Sequence, residues 1–337
     1  MKATLRALVE RHDLAASAME SAVGTIVDGR ATPAEIGAFL AALAAKGETV
    51  EELVAAVRVL RARSIKVHAK PPLVDLCGTG GDGLGNFNVS TAASFVVATA
   101  GGRVAKHGNR AASGSVGAAD VLEAVGVHLE LSPERAAEAI DRLGFAFLFA
   151  PVFHPAVRNV AGPRRELGFR TVFNLTGPLC NPAGATRQLL GVFSPRWLEP
   201  MAGALLRLGC EHALVVHGSD GCDEITPTGP TRVIEVRSGA TKAYDVDPSD
   251  YGVAACSVRD LAGGSVADNA QMLRSVLAGE KGPRADAVAL NAGAALYVAA
   301  VSDSLGGGVE IARRVLAGGA AIALLDRYVE FTQKSER

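Results

Sequence analysis

Residues 75–120 read DLCGTGGDGLGNFNVSTAASFVVATAGGRVAKHGNRAASGSVGAAD. An apolar run at 73–77 predicts a buried strand, a glycine-rich turn occupies 78–83, and a helix is expected to begin near Asn88–Thr91. Glycines let a backbone approach a ligand closely, and the N-terminus of a helix offers unpaired N–H groups and a positive dipole end to an anion. This strand–turn–helix unit therefore predicts an anion-binding turn.

A second unit of the same kind follows within this stretch. A strand at 103–105 leads into Lys106-His107-Gly108-Asn109-Arg110, and small residues at 112–115 precede the next helix. Two such units in tandem predict a single large phosphorylated ligand that is bound at both turns. One glycine-rich turn alone would equally fit an ordinary doubly wound protein, so the prediction depends on the pair.

The overall composition excludes several classes of protein. With 337 residues, the chain can bury a large core as one large domain or two unequal ones. A net charge of −1 provides no field that would attract nucleic acid or an acidic membrane surface. The five cysteines form no Cys-x-x-Cys motif, no signal-peptide core opens the chain, and the uncharged run at 287–302 is too short to span a bilayer. We expect a cytoplasmic protein without a membrane or nucleic-acid partner.

The chain shows helical patterns alone over residues 1–68. Two Thr-x-x-Glu capping boxes, at 32–35 and 49–52, mark helix starts there. Further on, apolar strands alternate with helices, which is typical of an α/β protein whose central, mainly parallel sheet is covered by helices on both faces. Within that part we expect a continuous helix at 154–168 and a hairpin or meander at 232–246.

Lys106 is predicted to stand at the end of a strand, where parallel sheets open towards their ligands. A lysine there can act as a point charge for phosphate. His107 beside it would more commonly be an ordinary hydrogen-bonded histidine. Ser90 also fits the common role of a helix cap, so neither residue identifies a site by itself.

An acidic turn follows another predicted strand, in the sequence HGSDGCDE at 217–224. The adjacent carboxylates of Asp223 and Glu224 could bind a hard cation through oxygen, as Mg²⁺ prefers when phosphate is also a ligand. The alternative interpretation is an exposed acidic turn without a ligand.

Arg164 lies on a predicted helix with Arg158 and Arg165, beside a turn-rich segment at 174–182. The guanidinium fork of an arginine fits a substrate carboxylate with two parallel hydrogen bonds. Most helical arginines are instead exposed or paired with an acidic residue. The neighbouring turn therefore favours a binding role.

The charge of a diphosphate requires more than a helix dipole. A helix N-terminus contributes roughly 0.3–1 kcal/mol towards an anion, and up to ~2 kcal/mol when partly buried. That is too little to offset the hydration of several negative charges. Metal ions and Lys106 are therefore expected to supply most of the neutralisation, with Asp223 and Glu224 holding the cation.

Taken together, these motifs resemble those of the anthranilate phosphoribosyltransferases, the tryptophan-pathway members of the nucleoside-phosphorylase-like phosphoribosyltransferase family. The likeness covers essentially the whole chain. Together the motifs are highly specific, whereas any one alone would not be. In family order they are GTGGD (78–82), NVST (88–91), KHGNR (106–110), ADVLEAVG (119–126), RRELGFRTVFNLTGPLCNP (164–182), QLLGV (188–192) and HGSDGCDE (217–224).

The resemblance implies an enzyme that transfers the phosphoribosyl group of 5-phosphoribosyl 1-diphosphate to the amine of anthranilate and releases diphosphate, with Mg²⁺ as cofactor. It implies a fold of the nucleoside phosphorylase type. A small all-helical domain would comprise residues 1–68, with part of about 164–185 packed on it, and a larger α/β domain would comprise 69–337. Hinge segments would join the two, and a homodimer would form through the helical part.

The resemblance also implies roles for individual residues. Lys106, Asn109 and Arg164 would be catalytic, with Arg164 binding the anthranilate carboxylate. The metal would be held by Ser90, Asp223 and Glu224. The substrate-binding residues would be Gly78, Gly81, Asp82, Asn86, Asn88, Val89, Ser90, Thr91, Lys106, His107, Gly108, Asn109, Arg110, Ala111, Ala112, Ser113, Gly114, Ala118 and Arg164.

The chain departs from the family pattern at two of these positions. Family members commonly carry threonine or serine in place of Asn86, and serine in place of Ala118. Both positions lie near the expected sugar diphosphate. A polar contact is therefore expected to be lost or replaced there, with an effect on affinity rather than on reaction type.

Two other functions fit a fold of this class. A pyrimidine nucleoside phosphorylase usually has lysine and serine after its glycine loop, whereas Asp82-Gly83-Leu84 follows here, and it has no counterpart role for Asp223 and Glu224. A non-catalytic, nucleic-acid-binding relative would have a strongly basic face, which the net charge of −1 disfavours for the protein as a whole.

Overall fold

The computed structural model describes residues 1–111 and 116–334. Two of its first four helices begin at the predicted capping boxes: the side chains of Thr32 and Thr49 each accept a hydrogen bond from the N–H of a glutamate three residues on, and that glutamate accepts one in return. The four are α1 (Lys2–Val9), α2 (Ala16–Val27), α3 (Pro33–Lys46) and α4 (Val50–Ala62).

One seven-stranded sheet forms the centre of the protein, in the order β3-β2-β1-β4-β5-β6-β7. The first five of these strands pair in parallel and the last two join in antiparallel fashion, which confirms the expected mainly parallel sheet and the hairpin. The strands are β1 (Val74–Gly78), β2 (Val104–Gly108), β3 (Phe145–Phe149), β4 (Arg187–Gly191), β5 (His212–Gly218), β6 (Thr231–Arg237) and β7 (Ala240–Val246).

Helices cover this sheet and connect its strands. Among the described residues they are α5 (Val89–Thr99), α6 (Ala118–Ala124), α7 (Pro133–Leu143), α8 (Ala150–Phe153), α9 (Arg158–Leu167), α10 (Val172–Thr176), α11 (Leu198–Arg207), α12 (Val266–Leu277), α13 (Pro283–Val298), α14 (Leu305–Ala317) and α15 (Ala320–Gln333).

The sheet separates two hydrophobic cores. Side chains alternate along a strand, so Leu189 and Leu214 face one core while Leu190 and Val215 face the other. The first core contains α5 and the C-terminal helices, and the second contains α1 to α4 together with residues from α9, α10 and α11. Helices α9 and α10 therefore pack on the N-terminal bundle.

The expected continuous helix at 154–168 is wrong. His154 has non-helical dihedrals (φ −127°, ψ 59°) because the residue before a proline avoids the helical region, and Pro155 follows it. A short helix therefore ends at Phe153, a 3₁₀ turn covers Pro155–Val157, and α9 begins only at Arg158.

Two further boundaries differ from the sequence prediction. Strand β2 continues to Gly108, so Lys106 and His107 lie within the strand, where pairing with β3 fixes both residues. In the turn-rich segment expected at 174–182, helix α10 continues to Thr176, and the predicted turns begin with a 3₁₀ turn at Gly177–Leu179. Among the residues described, no helix combines the length and the apolar character needed to cross a bilayer.

Candidate active site

The glycine-rich loop after β1 wraps around Asp223. Gly80, Gly81 and Gly83 have φ values of 67°, 72° and 82°, a left-handed region that glycine adopts without strain. The N–H of Gly80 donates to Oδ2 of Asp223 at 2.8 Å, and a Cβ built on Gly78 would lie only 2.3 Å from that same oxygen. The first predicted turn and the predicted acidic turn therefore meet.

The N-terminus of α5 faces the second carboxylate of the pair. The N–H of Ser90 donates to Oε1 of Glu224 at 3.1 Å, while the Ser90 hydroxyl accepts a hydrogen bond from Nζ of Lys106 at 3.1 Å. The residue at the N-cap of α5 is Asn88, so Ser90 does not serve as the cap. An amide, a hydroxyl, an ammonium and a carboxylate thus converge at one helix end.

A further hydrogen bond joins the two strand–turn–helix units, in addition to the one between Lys106 and Ser90. Nδ2 of Asn88, in the first unit, donates to the carbonyl of Val116, in the second, at 3.0 Å. The expected turn at 112–115 precedes Val116, and its residues Ala112, Ser113 and Gly114 lie outside the described part of the chain.

The local electrostatics favour a bound cation. The surrounding protein limits hydration, which raises the pKa of Asp223 to about 6 and that of Glu224 to about 8. The negative charge of Asp82 adds to the effect on Asp223, and that of Asp223 adds to the effect on Glu224. Oxygen and sulfur atoms of Asp82, Cys222 and Asp223 also lie within 4.8 Å of one another. A divalent cation would relieve the repulsion between these acids, and oxygen donors suit Mg²⁺.

Lys106 is almost fully buried, with 2 % of its surface exposed, and burial lowers the pKa of its ammonium group. Its Nζ also donates to the carbonyl of Leu76 on the neighbouring strand β1. Asp75, which is fully buried, accepts hydrogen bonds from the N–H of His107 at 3.1 Å and from Nδ2 of Asn181 at 2.7 Å. These contacts hold the strand that carries Lys106.

His107 pairs with His154, a residue that the sequence analysis did not single out. Their rings lie 5.0 Å apart between centroids, and the Nε2 atom of each is buried without a hydrogen-bond partner in the described residues. Burial lowers the pKa of His107 to about 3 and that of His154 to about 4, so both imidazoles are neutral near pH 7. The two rings therefore form an uncharged surface, and the Nε2 atom of each could still make a hydrogen bond.

Arg164, on α9, is partly buried. Its Nη2 lies 3.4 Å from Oδ1 of Asn174, and its guanidinium carbon lies 5.6 Å from the centre of the Phe173 ring. Burial lowers the pKa of its guanidinium. Within residues 1–111 and 116–334, no carboxylate forms an ion pair with this group, so it is available for a ligand carboxylate.

Three further predicted residues, at 109–111, make hydrogen bonds to other protein groups. Arg110 uses its guanidinium on Asp120 and Glu123, at 3.0 and 2.8 Å, and the N–H of Ala111 donates to Asp120 as well. Asn109 is exposed, and its side-chain oxygen accepts from the N–H of Arg110 at 2.8 Å. The guanidinium of Arg110 is therefore directed at helix α6.

Several predicted positions are packed against protein. Nδ2 of Asn86 lies 3.4 Å from the sulfur of Cys222, and Ala118 is the first residue of α6. Val89 and Thr91 are buried in α5, with the Thr91 hydroxyl unpartnered among the described residues. A Cβ on Gly108 would lie 2.6 Å from the Phe147 ring.

Arg170 is a further positive group at the glycine loop that the sequence analysis did not assign. Its guanidinium carbon lies 3.8 Å from the centre of the Phe193 ring, a stacked cation–π geometry. Its Nη2 lies 2.8 Å from the position that a Cβ on Gly81 would take. The only sequence signal was its place within the motif at 164–182.

Comparisons with known proteins confirm the resemblance. A family model described as the α/β domain of a glycosyl transferase family matches residues 70–322, and one described as the helical bundle domain of a glycosyl transferase family matches residues 2–64. Anthranilate phosphoribosyltransferase of Thioalkalivibrio sulfidiphilus is 51 % identical over 98 % of each chain. The enzyme of that name from Acetivibrio thermocellus is 48 % identical over 98 % of this chain and 96 % of its own.

Solved structures agree with these relatives. The crystal structure of anthranilate phosphoribosyltransferase from Thermus thermophilus has a TM-score of 0.93 and 49 % identity, and the match covers 98 % of this chain and 99 % of that one. Anthranilate phosphoribosyltransferase from Saccharomyces cerevisiae, in complex with PRPP and Mg, has a TM-score of 0.88 and 25 % identity over 98 % of each chain. The fold, the site geometry and these relatives lead to one conclusion: the chain belongs to the anthranilate phosphoribosyltransferase family.

Proposed function

We propose that this protein transfers the phosphoribosyl group of 5-phosphoribosyl 1-diphosphate (PRPP) to the amine of anthranilate and releases diphosphate. The observation that carries the proposal is the convergence of three groups: the glycine-rich loop after β1, the pair Lys106–Ser90 at the start of α5, and the carboxylates of Asp223 and Glu224. Such a set suits a sugar diphosphate with a bound cation. The family relatives carry the name of this activity.

We propose Mg²⁺ as the cofactor, held by Asp223, Glu224 and the Ser90 hydroxyl. The fit rests on the raised pKa values of the two carboxyl groups, because a cation favours the ionised form that the protein environment disfavours. When bound, Mg²⁺ would neutralise part of the diphosphate charge and make diphosphate a better leaving group. The presence of PRPP and Mg in the yeast relative supports this assignment.

The mechanism needs no strong general base, because the amine of anthranilate is already neutral. As diphosphate departs, the anomeric carbon gains oxocarbenium character, and Lys106 stabilises the leaving charge from its buried position. Arg164 holds the carboxylate of anthranilate, and Asn109 helps to keep the amine in line with the anomeric carbon. Gly78 and the neutral ring of His107 line the path of the amine.

Residues 1–68 and 69–337 are proposed as two domains whose closure excludes water from the sugar cation. The separate family models at 2–64 and 70–322 support this division. We further propose a homodimer formed through the helical part, where the exposed Val9 offers an apolar surface, and a cytoplasmic location, in keeping with five free cysteines. Size-exclusion chromatography with light scattering would measure the molar mass of the protein in solution, and the mass of a monomer would contradict the proposed dimer.

The direct test measures the rate at which PRPP and anthranilate are converted to phosphoribosyl-anthranilate, followed by the change in fluorescence at a series of Mg²⁺ concentrations. Asp223→Asn and Glu224→Gln should each require more Mg²⁺ for the same rate. Asp326→Asn is the matched control, because Asp326 forms an exposed ion pair with Arg274 on the surface. An unchanged metal dependence in the first two variants would remove those carboxylates from the role.

The two competing functions have their own tests. Phosphorolysis of a pyrimidine nucleoside with inorganic phosphate, in the absence of anthranilate turnover, would favour the nucleoside phosphorylase. A gel shift that weakens with salt would favour a nucleic-acid-binding protein. We expect neither result from this protein.

A further inference from the structure

Asn291 lies in the middle of α13, far along the chain from the acidic turn, and is fully buried. Its side-chain amide makes hydrogen bonds in both directions with the peptide groups of Ile225. Oδ1 accepts from the N–H of Ile225 at 3.0 Å, and Nδ2 donates to the carbonyl of Ile225 at 2.8 Å and to that of Ala287 at 2.9 Å. Ile225 is the residue directly after Glu224.

A polar side chain at this position needs an explanation. The neighbours of Asn291 in the helix, Leu290 and Ala292, are apolar and fully buried, and asparagine is a weaker helix former than leucine. An apolar residue would leave the N–H and carbonyl of Ile225 without these partners inside the protein, which is costly. The amide of Asn291 therefore matches the backbone that follows the acidic pair.

The upstream end of the same turn is fixed by Asp220. Its Oδ1 accepts from the N–H of Cys222 at 3.0 Å, and its Oδ2 accepts from the hydroxyls of Thr226 and Thr228, each at 2.7 Å. The carbonyl of Cys222 also accepts a hydrogen bond from the N–H of Gly218 at 2.8 Å. Asp223 and Glu224 thus lie between two residues whose backbone is held by side-chain hydrogen bonds: Cys222 before them and Ile225 after them.

We propose that Asn291 is a positioning residue that holds the turn of Asp223 and Glu224 in the geometry needed to bind the metal ion. The inference rests on the proposed function, since it assigns that role to the two carboxylates. A metal site binds its ion tightly only when its ligand residues are already held in the binding geometry. The hydrogen bonds from Asn291 to the N–H and carbonyl of Ile225 hold the backbone directly after Glu224 in place before any ligand arrives.

The test compares full-length Asn291→Leu with wild type. Thr332→Val is the matched control: Thr332 is similarly buried, at 5 % exposure, and its hydroxyl accepts from the N–H of His128 in a different part of the fold. Binding of Mn²⁺ alone is followed by electron paramagnetic resonance, and the rate is measured against Mg²⁺ and against anthranilate concentration.

We expect Asn291→Leu to weaken Mn²⁺ binding, and to raise the Mg²⁺ concentration for half-maximal rate, by roughly tenfold to a hundredfold, as loss of outer-shell partners of a metal site does. The KM for anthranilate should not change, and the control should bind Mn²⁺ like wild type. Unchanged Mn²⁺ binding in folded Asn291→Leu would overturn the inference, as would a parallel change in the KM for anthranilate.

Should Asn291→Leu fail to fold, Asn291→Ser replaces it, because the shorter polar side chain removes the hydrogen bonds to Ile225 without adding bulk or changing the charge. The same weakening of Mn²⁺ binding is expected, and its absence would overturn the inference. Failure of the proposed function is a separate result: wild-type protein would then show no Mg²⁺-dependent turnover of PRPP and anthranilate.

Discussion

The carbonyl oxygen of Asp223 occupies the space where a side chain on Gly191 would begin: a Cβ built there would lie 1.5 Å from that oxygen. Gly191 ends β4, in register with Gly78 on β1, so two glycines on adjacent strands make room for one acidic residue. A side chain at either glycine would therefore have to displace Asp223.

Gly191→Ala should therefore damage both the fold and the site. Overpacking of this kind costs about 1–3 kcal/mol in the free energy of unfolding, and a displacement of Asp223 by about 1 Å would lower kcat/KM by roughly a hundredfold. Urea unfolding and the fluorescence assay measure the two effects.

The control for this substitution is Gly203→Ala in α11, where a Cβ would stand at an ordinary 3.6 Å from the methyl groups of Val50. The free energy of unfolding of that variant should rise by about 0.5–1 kcal/mol, because alanine is a better helix former than glycine. If Gly191→Ala were as stable and as active as Gly203→Ala, the close contact with Asp223 would be refuted.

Arg164→Ala should raise the KM for anthranilate by roughly tenfold to a hundredfold, because a hydrogen bond to a charged group contributes about 1.5–3 kcal/mol. The KM for PRPP should stay the same. Steady-state kinetics with each substrate varied in turn provides the measurement, with Arg165→Ala, an exposed neighbour on the same helix, as the control. A selective loss for PRPP would contradict the assignment.

Arg170→Ala should act on the opposite substrate. Its guanidinium stacks on Phe193 beside Gly81, where the diphosphate is expected, but it is exposed, so the effect on the KM for PRPP should not exceed roughly fivefold. Arg170→Lys keeps the charge but loses the planar guanidinium. Its affinity for PRPP should therefore lie between those of wild type and Arg170→Ala. Isothermal titration calorimetry of each protein with PRPP, in the presence of Mg²⁺, measures the three affinities. Equal affinities in all three proteins would rule out a contribution from Arg170.

His154 should make the protein less stable in mild acid. Its pKa is lowered from 6.5 to about 4 in the folded protein, chiefly by burial, so between these values the unfolded chain binds a proton that the folded protein does not. Acidification therefore favours unfolding, by up to about 1.4 kcal/mol per pH unit for this one group. Urea titrations from about pH 7 to about pH 5 should show a shallower loss of stability for His154→Gln than for wild type.

His12→Gln serves as the control for that series, because the side chain of His12 is exposed on the surface. It should follow the wild-type dependence on pH. If His154→Gln and His12→Gln had the same slope as wild type, the buried histidine would not titrate on unfolding as proposed.

The sequence predicted the groups that meet at the end of α5. Lys106, Ser90, Asp223 and Glu224 follow predicted strands or begin a predicted helix, and in a parallel sheet those ends lie at one edge. The alternative of an exposed acidic turn does not describe the structure, since the N–H groups of Gly80 and Ser90 donate to the two carboxylates.

Other residues of the site gave no such signal. Asn291 and Asn181 lie far along the chain from the groups they contact, and a buried asparagine in a helix or turn looks like any other until its partner is known. His154 was placed in an expected helix, whereas in the structure it has non-helical dihedrals and its ring lies 5.0 Å from that of His107. Arg110 was expected among the substrate-binding residues, and its sequence position gave no sign that its guanidinium pairs with Asp120 and Glu123.

By itself, the sequence determined the local features: the capping boxes, the glycine turns, the order of strands and helices, and the motifs that mark the family. These follow from dihedral preferences and apolar periodicity, which act between residues close in the chain. The tertiary structure alone decided which distant groups fasten the acidic turn, which charges are neutralised by protein, and which histidines are buried. Those outcomes depend on hydration and hydrogen bonding between segments that only folding brings together.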